Sequence, residues 1–486
     1  RFDVAGRKCY LLGVGGAGMS ALAQMLRARG ALVAGSDTTP TGVTEHLASL
    51  GMAIGFEQTA SAFPDDAEIV VASAAIKPDN PQFVEATRRG LTVLTYAEAL
   101  GRCMLGTTGV AVAGTHGKST TTAMLGYALT QAGLDPTVIV GATCAQLSPD
   151  GRTPTGFHLG SPTIPSGALK GRPGALLAEA CEFNRSFHNL RPTIASIASV
   201  EADHLDIYGS LDAVVQAFRE FAMLLPPAEQ GGKLLIGHDG AHRREVTAGV
   251  RAEVETIGFA PGADWVIEYD AQTRRVVLHH HRRAVAGWIM PMPGEHNAFN
   301  SAVACVLATY LGADPKKIAS ALSTFRGLDR RMQFLGERRG VRVYDDYGHH
   351  PTEVDTTLRA LRDFERPEEH GGRLVCVFQP HQHSRTRFLL EEFAQAFSQA
   401  DVVVVPHIYF VRDSEIEKAR VSAADLVDRL RKRGIQAMHL YPFEAIIEQL
   451  EVLCRPGDLL VVMGAGPVWQ VGHGFLKTGA SPNAKG

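Results

Sequence analysis

A chain of 486 residues is too long for one ordinary core and predicts two or three domains. It is 45% hydrophobic and 20% charged, and Lys+Arg 48 against Asp+Glu 51 leaves a net charge of −3, which offers no electrostatic footprint for nucleic acid or an anionic membrane. No apolar run approaches the ~20 residues that span a bilayer, Arg1-Phe2-Asp3-Val4 holds no apolar signal core, and seven cysteines without CxxC spacing argue against a disulfide framework or zinc ribbon, so the expected compartment is the cytoplasm.

The first block opens with a predicted strand, Cys9-Tyr10-Leu11-Leu12, and a glycine loop, Gly13-Val14-Gly15-Gly16-Ala17-Gly18. Met19, Leu22, Ala23 and Leu26 then share one face of a helix, and a second strand, Leu32-Val33-Ala34-Gly35, ends at Ser36-Asp37. GxGxxG between strand and helix, with an acid about 20 positions later, is by itself a dinucleotide-binding fingerprint. The runs Ile69-Val70-Val71-Ala72 and Thr92-Val93-Leu94 continue a parallel α/β pattern.

The second block holds the most informative stretch, Gly114-Thr115-His116-Gly117-Lys118-Ser119-Thr120. It follows the apolar run Val110-Ala111-Val112-Ala113 and precedes a helix with Met124, Leu125, Ala128 and Leu129 on one face. Strand, glycine loop, Lys-Ser and helix build a phosphate cradle. Backbone N–H groups and the helix N-terminus wrap the anion, Lys118 supplies a point charge, and Ser119 offers a hydroxyl to Mg²⁺. Val112 stands where the fuller loop pattern has glycine. The expected ligand is a nucleoside triphosphate.

Residues 148–174, rich in Pro, Gly and Thr, read as a surface excursion. The buried-strand run Ala175-Leu176-Leu177-Ala178 then delivers Glu179-Ala180-Cys181-Glu182, and Ile194-Ala195-Ser196-Ile197-Ala198 delivers Glu201-Ala202-Asp203-His204-Leu205-Asp206. Glu179, Glu182 and His204 are candidates to complete a metal site with Ser119; oxygen donors suit Mg²⁺, and the imidazole suits Mn²⁺ as well. The competing reading of Glu182 is a solvated pair with Arg185. Residues 266–290 alternate like strands and hairpins, with His279-His280-His281 as a solvated turn. A helix follows with His296, Asn297 and Asn300, the two asparagines spaced to hydrogen-bond a planar heterocycle.

The third block starts near Phe325. The runs Val341-Arg342-Val343-Tyr344, Leu374-Val375-Cys376-Val377-Phe378, Val402-Val403-Val404-Val405 and Leu459-Leu460-Val461-Val462 alternate with helical segments, again a mainly parallel sheet. Asp345-Asp346-Tyr347-Gly348-His349-His350-Pro351 and Gln379-Pro380-His381-Gln382-His383-Ser384-Arg385 form two His-rich loops, read as lying at adjacent strand ends. They can supply acid–base groups and an Arg clamp for a carboxylate. Neither has ligand spacing typical of zinc. The tail after Lys477 is expected to be disordered. The whole predicts an α/β protein of three domains: Rossmann-like over 1–107, P-loop-type mononucleotide-binding over 108–324, and Rossmann-like over 325–486.

In this order the pieces resemble the Mur ligase family of ATP-dependent amide-forming enzymes across nearly the whole chain. The carriers are the glycine loop at 13–18, GTHGKST at 114–120, EADHLD at 201–206, HNAFN at 296–300, DDYGHHPTE at 345–353, FQPH…SRTR at 378–387 and MGAG at 463–466. The resemblance implies that the first domain holds a UDP-sugar near Gly15, Gly16, Gly18, Ser36, Asp37 and Ser73, with His204 also serving that substrate. It implies ATP at Gly114, Thr115, Gly117, Lys118, Ser119 and Thr120, with His296, Asn297 and Asn300 near adenine and ribose and Arg330 and Arg331 facing phosphate. Metal would sit on Ser119, Glu179 and His204, and Lys118, His349, Asp345 and Arg385 would serve catalysis as the third domain closes over the others.

The implied reaction joins L-alanine to the lactyl carboxylate of UDP-N-acetylmuramate through an acyl phosphate, for peptidoglycan precursors, in a monomer or homodimer that neither binds nucleic acid nor enters a membrane. The alternative acceptor is a ready-made tripeptide. A nicotinamide dehydrogenase, suggested by the first glycine loop alone, leaves GTHGKST without a role, and a non-catalytic nucleotide switch would not need both an amino acid and a sugar nucleotide. The chain departs from the family in three places. Its acidic run reads Glu179-Ala180-Cys181-Glu182-Phe183-Asn184, Gln382-His383 replace a common Arg-Tyr, and Phe218 stands where several members carry a carbamylated Lys.

Overall fold

The computed structural model describes residues 2–411 and 413–478, so the expectation for the tail falls mostly outside the described residues. Three sheets organise the chain. The first is all parallel, in the spatial order Ala53–Gly55, Leu32–Ser36, Lys8–Leu12, Ile69–Ala72, Thr92–Thr95. The direction of winding reverses between Lys8–Leu12 and Ile69–Ala72, so the crevice beyond their C-terminal ends is the natural ligand site. One core face of this sheet gathers Tyr10, Leu12, Phe63 and Val70, with Tyr10 and Phe63 meeting edge-on at 5.2 Å.

The second sheet has ten strands. Six central ones are parallel, in the order Glu253–Gly258, Lys233–Gly237, Ile194–Ile197, Thr108–Ala113, Ala175–Glu179, Thr137–Cys144. Thr108–Ala113 thus runs between the two strands that deliver the acidic stretches, which brings three functional loops to one edge. Residues 148–174 are more than an excursion: Thr155–His158 adds an antiparallel edge strand beside Thr137–Cys144, and the helix Ala17–Ala28 packs against both. At the far edge Trp265–Asp270 continues the parallel order, and Arg275–His280 and Arg283–Ile289 close it as antiparallel hairpins.

The third sheet runs Gln333–Arg338, Val341–Asp346, Leu459–Met463, Leu374–Phe378, Val402–Val405, Gln436–His439, with only the first pairing antiparallel. Its central strands are buried on both faces, one face with Phe378, Phe393, Phe397 and Leu426 and the other with Val377, Val462, Ile446 and Phe475. The last strand in the chain inserts between the two that carry the His-rich loops. Those loops are therefore next-but-one neighbours, not adjacent as the sequence suggested, and MGAG lies between them. By contact density the chain forms two units: residues 202–209 and 292–297 group with 327 onward, and the remainder forms the other.

Candidate active site

The phosphate loop is built by backbone. Gly114 has φ +136°, and a Cβ there would lie 2.9 Å from Ala198 N; Gly117, at φ +79°, caps the helix Lys118–Gln131 where a Cβ would overlap the Asn300 side chain. The loop is stapled to the next strand end: Thr115 N donates to Ser199 O (2.9 Å), and Glu201 N donates to Thr115 Oγ1 (2.9 Å). His116 Nε2 and Glu201 Oε2 lie 3.3 Å apart. Ser119 and Thr120 occupy the first helical turn.

Lys118 Nζ donates to Gly114 O (2.6 Å) and Thr115 O (3.1 Å) and pairs with Glu182 at 2.9 Å. Burial works against its charge, but Glu182 first, and Glu179 with it, outweigh that and raise its pKa. Glu182 is only 3% exposed, while the Arg185 guanidinium reaches Glu220. The solvated Glu182–Arg185 reading is thereby replaced by a buried carboxylate on the phosphate-loop lysine. Glu179 ends its strand and accepts from Gly141 N at 2.5 Å. Desolvation, then the Glu182 charge, push the Cys181 thiol up to about 11, so it stays protonated at neutral pH.

In the first sheet, Asp37 Oδ2 accepts from Gly15 N at 2.7 Å and Oδ1 from Thr38 N at 2.7 Å. The acid that would read a ribose hydroxyl in a dinucleotide fold is thus bound to its own glycine loop. The Ser36 hydroxyl, fully buried, donates to Gln82 Oε1 at 2.6 Å and is spent inside the fold. Gly16 caps the helix that contains Gly18 without a side-chain bond, and Ser73 follows the neighbouring strand Ile69–Ala72. These residues gather at the winding reversal.

In the other unit, Arg330 Nε donates to Asp345 Oδ2 (3.2 Å), and its Nη2 donates to Gly464 O (2.6 Å) and Gly466 O (3.2 Å). Arg330 is thus held against the MGAG turn, and both Arg330 and Arg331 lie over the Tyr347 ring, at 5.2 and 4.9 Å. Burial raises the Asp345 carboxyl despite Arg330. Burial likewise pushes Asp346 up to about 6, although it accepts from Met332 N and Gly348 N at 2.7 Å each. His296 is held down to about 4 by burial. The Asn297 amide donates to Pro293 O at 2.8 Å and contacts Met332 Sδ at 3.4 Å, whereas Asn300 lies beside Gly117.

The densest cluster surrounds Arg385. Its Nε and Nη2 donate to Asp203 Oδ1 at 3.1 and 3.0 Å, its Nη1 lies 3.2 Å from His381 Nδ1, and Nη2 lies 3.5 Å from His204 Nδ1. Burial would raise the Asp203 carboxyl, yet Arg385 first and then the nearby histidines hold it far below the carboxylate range. The His349 and His381 rings meet edge-on at 5.7 Å. Burial, with Arg385 adding to it, brings His349 down to about 4 against the pull of Glu353 and Asp203. Its Nδ1 lies 3.2 Å from the Tyr347 carbonyl, which only accepts, so in the neutral ring the proton belongs on Nδ1 and Nε2 is the basic nitrogen. Asp203 and His381 are functional candidates that sequence reasoning did not select, although both lie inside quoted motifs.

Three family models match the chain: the Mur ligase family catalytic domain over residues 8–108, the Mur ligase middle domain over 112–308, and the Mur ligase glutamate ligase domain over 330–466. The chain belongs to the Mur ligase family. It is similar to proteins named UDP-N-acetylmuramate–L-alanine ligase from Pelotomaculum thermopropionicum, at 36% identity over 97% of each chain, and from Rubrobacter xylanophilus, at 38% over 96% of this chain and 99% of that one. Two solved structures share the fold: a UDP-N-acetylmuramate-alanine ligase from Thermotoga maritima (24% identity, TM-score 0.75) and a murein peptide ligase from Psychrobacter arcticus (24%, 0.72). Each alignment covers 97% of this chain and 98% of the other.

This Mur ligase is an amide-forming ligase of α/β architecture, and its family's ATP dependence gives the phosphate loop its ligand and implies a divalent metal. Phe218, which spacing sets against the family's carbamylated Lys, is fully buried and lies edge-on to Phe187 at 5.3 Å. Among the described residues no helix is long and apolar enough to cross a membrane.

Proposed function

We propose that this Mur ligase joins L-alanine to the lactyl carboxylate of UDP-N-acetylmuramate with ATP, using Mg²⁺, in the cytoplasm as a monomer or homodimer. The full-length similarity to alanine-adding ligases carries the assignment. The chemistry asks for few parts. A carboxylate is a poor electrophile, so the lactyl oxygen attacks the γ-phosphorus, ADP leaves, and an acyl phosphate forms. The alanine amine then adds to the acyl carbon, and collapse of the tetrahedral adduct expels phosphate and leaves the amide.

Lys118 neutralises phosphate oxygens in the first step, after exchanging its loop carbonyls for the nucleotide. The Ser119 hydroxyl and the Glu179 carboxylate are the oxygen donors a hard cation prefers, and both belong to the phosphate-loop unit, with His204 as the further candidate. They would hold Mg²⁺, whose charge offsets that of the β- and γ-phosphates. Alanine arrives as an ammonium and must lose a proton before it attacks. His349 Nε2 is the acceptor, and the anionic substrates raise its proton affinity when they bind. Arg385 fixes the amino-acid carboxylate or the transferring phosphate. Arg330 and Asp345 brace the strand ends, and the UDP moiety occupies the crevice lined by Gly15, Gly16, Gly18 and Ser73.

The test is phosphate release with ATP, Mg²⁺ and UDP-N-acetylmuramate, comparing L-alanine, glycine, L-serine and L-alanyl-γ-D-glutamyl-diaminopimelate. Strongest release with L-alanine, and none without the sugar nucleotide, is expected. Release with the tripeptide alone overturns the alanine assignment in favour of the recycling reaction.

A further inference from the structure

The run His279-His280-His281 takes no part in the chemistry above, and the structure gives it a defined geometry. Arg275–His280 and Arg283–Ile289 pair with His280 opposite Arg283, so His281 and Arg282 form a two-residue turn. Both have positive φ, +45° and +67°, a conformation that asparagine and glycine adopt at less cost. The turn sets the two imidazoles side by side, with ring centroids 4.1 Å apart. His280 is further fixed by stacking on Trp265 at 3.9 Å.

A carboxylate reaches the same place from two strands away. Glu255 lies on Glu253–Gly258, and Trp265–Asp270 runs between it and the histidine strand. Its Oε1 is 2.9 Å from His280 Nε2, and its Oε2 accepts from Tyr310 Oη (2.5 Å) and Trp265 Nε1 (3.1 Å). The Glu255 side chain is 15% exposed. One ligand atom from each of Glu255, His280 and His281 lies within 4.8 Å of the others.

The geometry points to a second cation site, on this hairpin, for a divalent ion of the zinc class, held by Glu255, His280 and His281. Two neutral imidazoles and one carboxylate are a donor set for Zn²⁺, Co²⁺ or Ni²⁺ and a poor one for Mg²⁺. Ligand atoms around a tetrahedral zinc stand about 3.3–3.5 Å apart, given bonds near 2.0–2.1 Å. Glu255 and His280 would open slightly, and the exposed His281 would close by rotating its ring. Tyr310 and Trp265 orient the carboxylate from behind, as second partners do in metal sites. Water would complete the coordination on the open side. The ion would clip the first and third strands of this sheet edge across the middle one, apart from the ATP chemistry.

The experiment is Co²⁺ and Zn²⁺ titration of metal-stripped, nucleotide-free full-length protein, followed by visible absorption and calorimetry. The wild type is expected to take up one equivalent with the intense bands of tetrahedral Co²⁺. His281→Asn, which suits the turn, should lose that equivalent or bind at least about tenfold more weakly, with zinc-free ligase activity unchanged. Tyr310→Phe, which removes only a positioning bond, should weaken binding roughly tenfold. Wild-type protein without tetrahedral Co²⁺ bands, or His281→Asn binding as the wild type does, overturns the assignment.

Discussion

Asp203→Asn is the most direct perturbation of the Arg385 cluster. Arg385 and Asp203 side chains are 6% and 9% exposed, and two guanidinium nitrogens converge on one carboxylate oxygen. Removing one partner of such a pair leaves a buried charge uncompensated, a loss of roughly 3–5 kcal/mol. The asparagine carbonyl still accepts a hydrogen bond, which places the expected cost near ~3 kcal/mol. For a unit of this size that is a fall of about 6–12 °C in its melting temperature. Differential scanning calorimetry at pH 7, with both units resolved, measures it. The pH dependence has a definite sign. The folded carboxyl is lowered, so its contribution is present above the unfolded value near ~3.9 and is lost as pH falls through the folded one. The gap between wild type and variant should therefore narrow in strong acid. Asp203→Leu with Arg385→Met, which removes both charges, should recover much of the loss. A shift under ~1 kcal/mol at pH 7, the range of an exposed pair, would refute the account of a buried, coupled cluster.

Gly117→Ala should drop phosphate transfer by on the order of 100-fold with little change in UDP-sugar affinity, because the new methyl displaces Asn300 and strains a left-handed cap; single-turnover kinetics separate the two. Ser36→Ala should cost about 1–3 kcal/mol by orphaning Gln82 Oε1 and leave the KM for the sugar nucleotide unchanged, whereas a large rise in that KM would return the hydroxyl to the ligand. His349→Gln should remove most turnover. It should also relieve an acid penalty of about 3 kcal/mol, because a histidine lowered to about 4 leaves stability unaffected above the unfolded value near 6.5 and destabilises the fold progressively as pH falls from ~6.5 to ~4, a loss the glutamine variant does not suffer. Parallel denaturation curves for variant and wild type across that window would contradict it.

How much of this was legible in the chain depends on how far apart the cooperating residues lie. The phosphate loop was legible because strand, glycines, Lys118 and helix are contiguous, and the two backbone conformations that demand glycine fall at two of the quoted glycines, Gly114 and Gly117. Glu182 reads in sequence either as a metal ligand or as a solvated partner of Arg185; the placement of Thr108–Ala113 beside Ala175–Glu179 sets it on Lys118 instead. The third sheet shows the limit more sharply. Three of its four interior strands are unbroken apolar runs, buried on both faces, so none of these three carries a mark of its spatial neighbour. That is why Leu459–Met463 entered the middle unannounced and moved the two His-rich loops one strand apart.

The same argument explains why a correct fingerprint does not by itself name a ligand. The glycine loop at 13–18 fixes a tight turn and a helix start, and those are requirements of the backbone shared by any phosphate-binding crevice. What would distinguish a dinucleotide is a carboxylate free to meet a ribose. Here Asp37 spends one oxygen on Gly15 N and the other on Thr38 N, while Ser36 is turned inward to Gln82. Local pattern therefore sets the shape of the crevice, while the bonds that occupy Asp37 and Ser36 come from positions 22 and 46 residues away along the chain and lie outside that pattern.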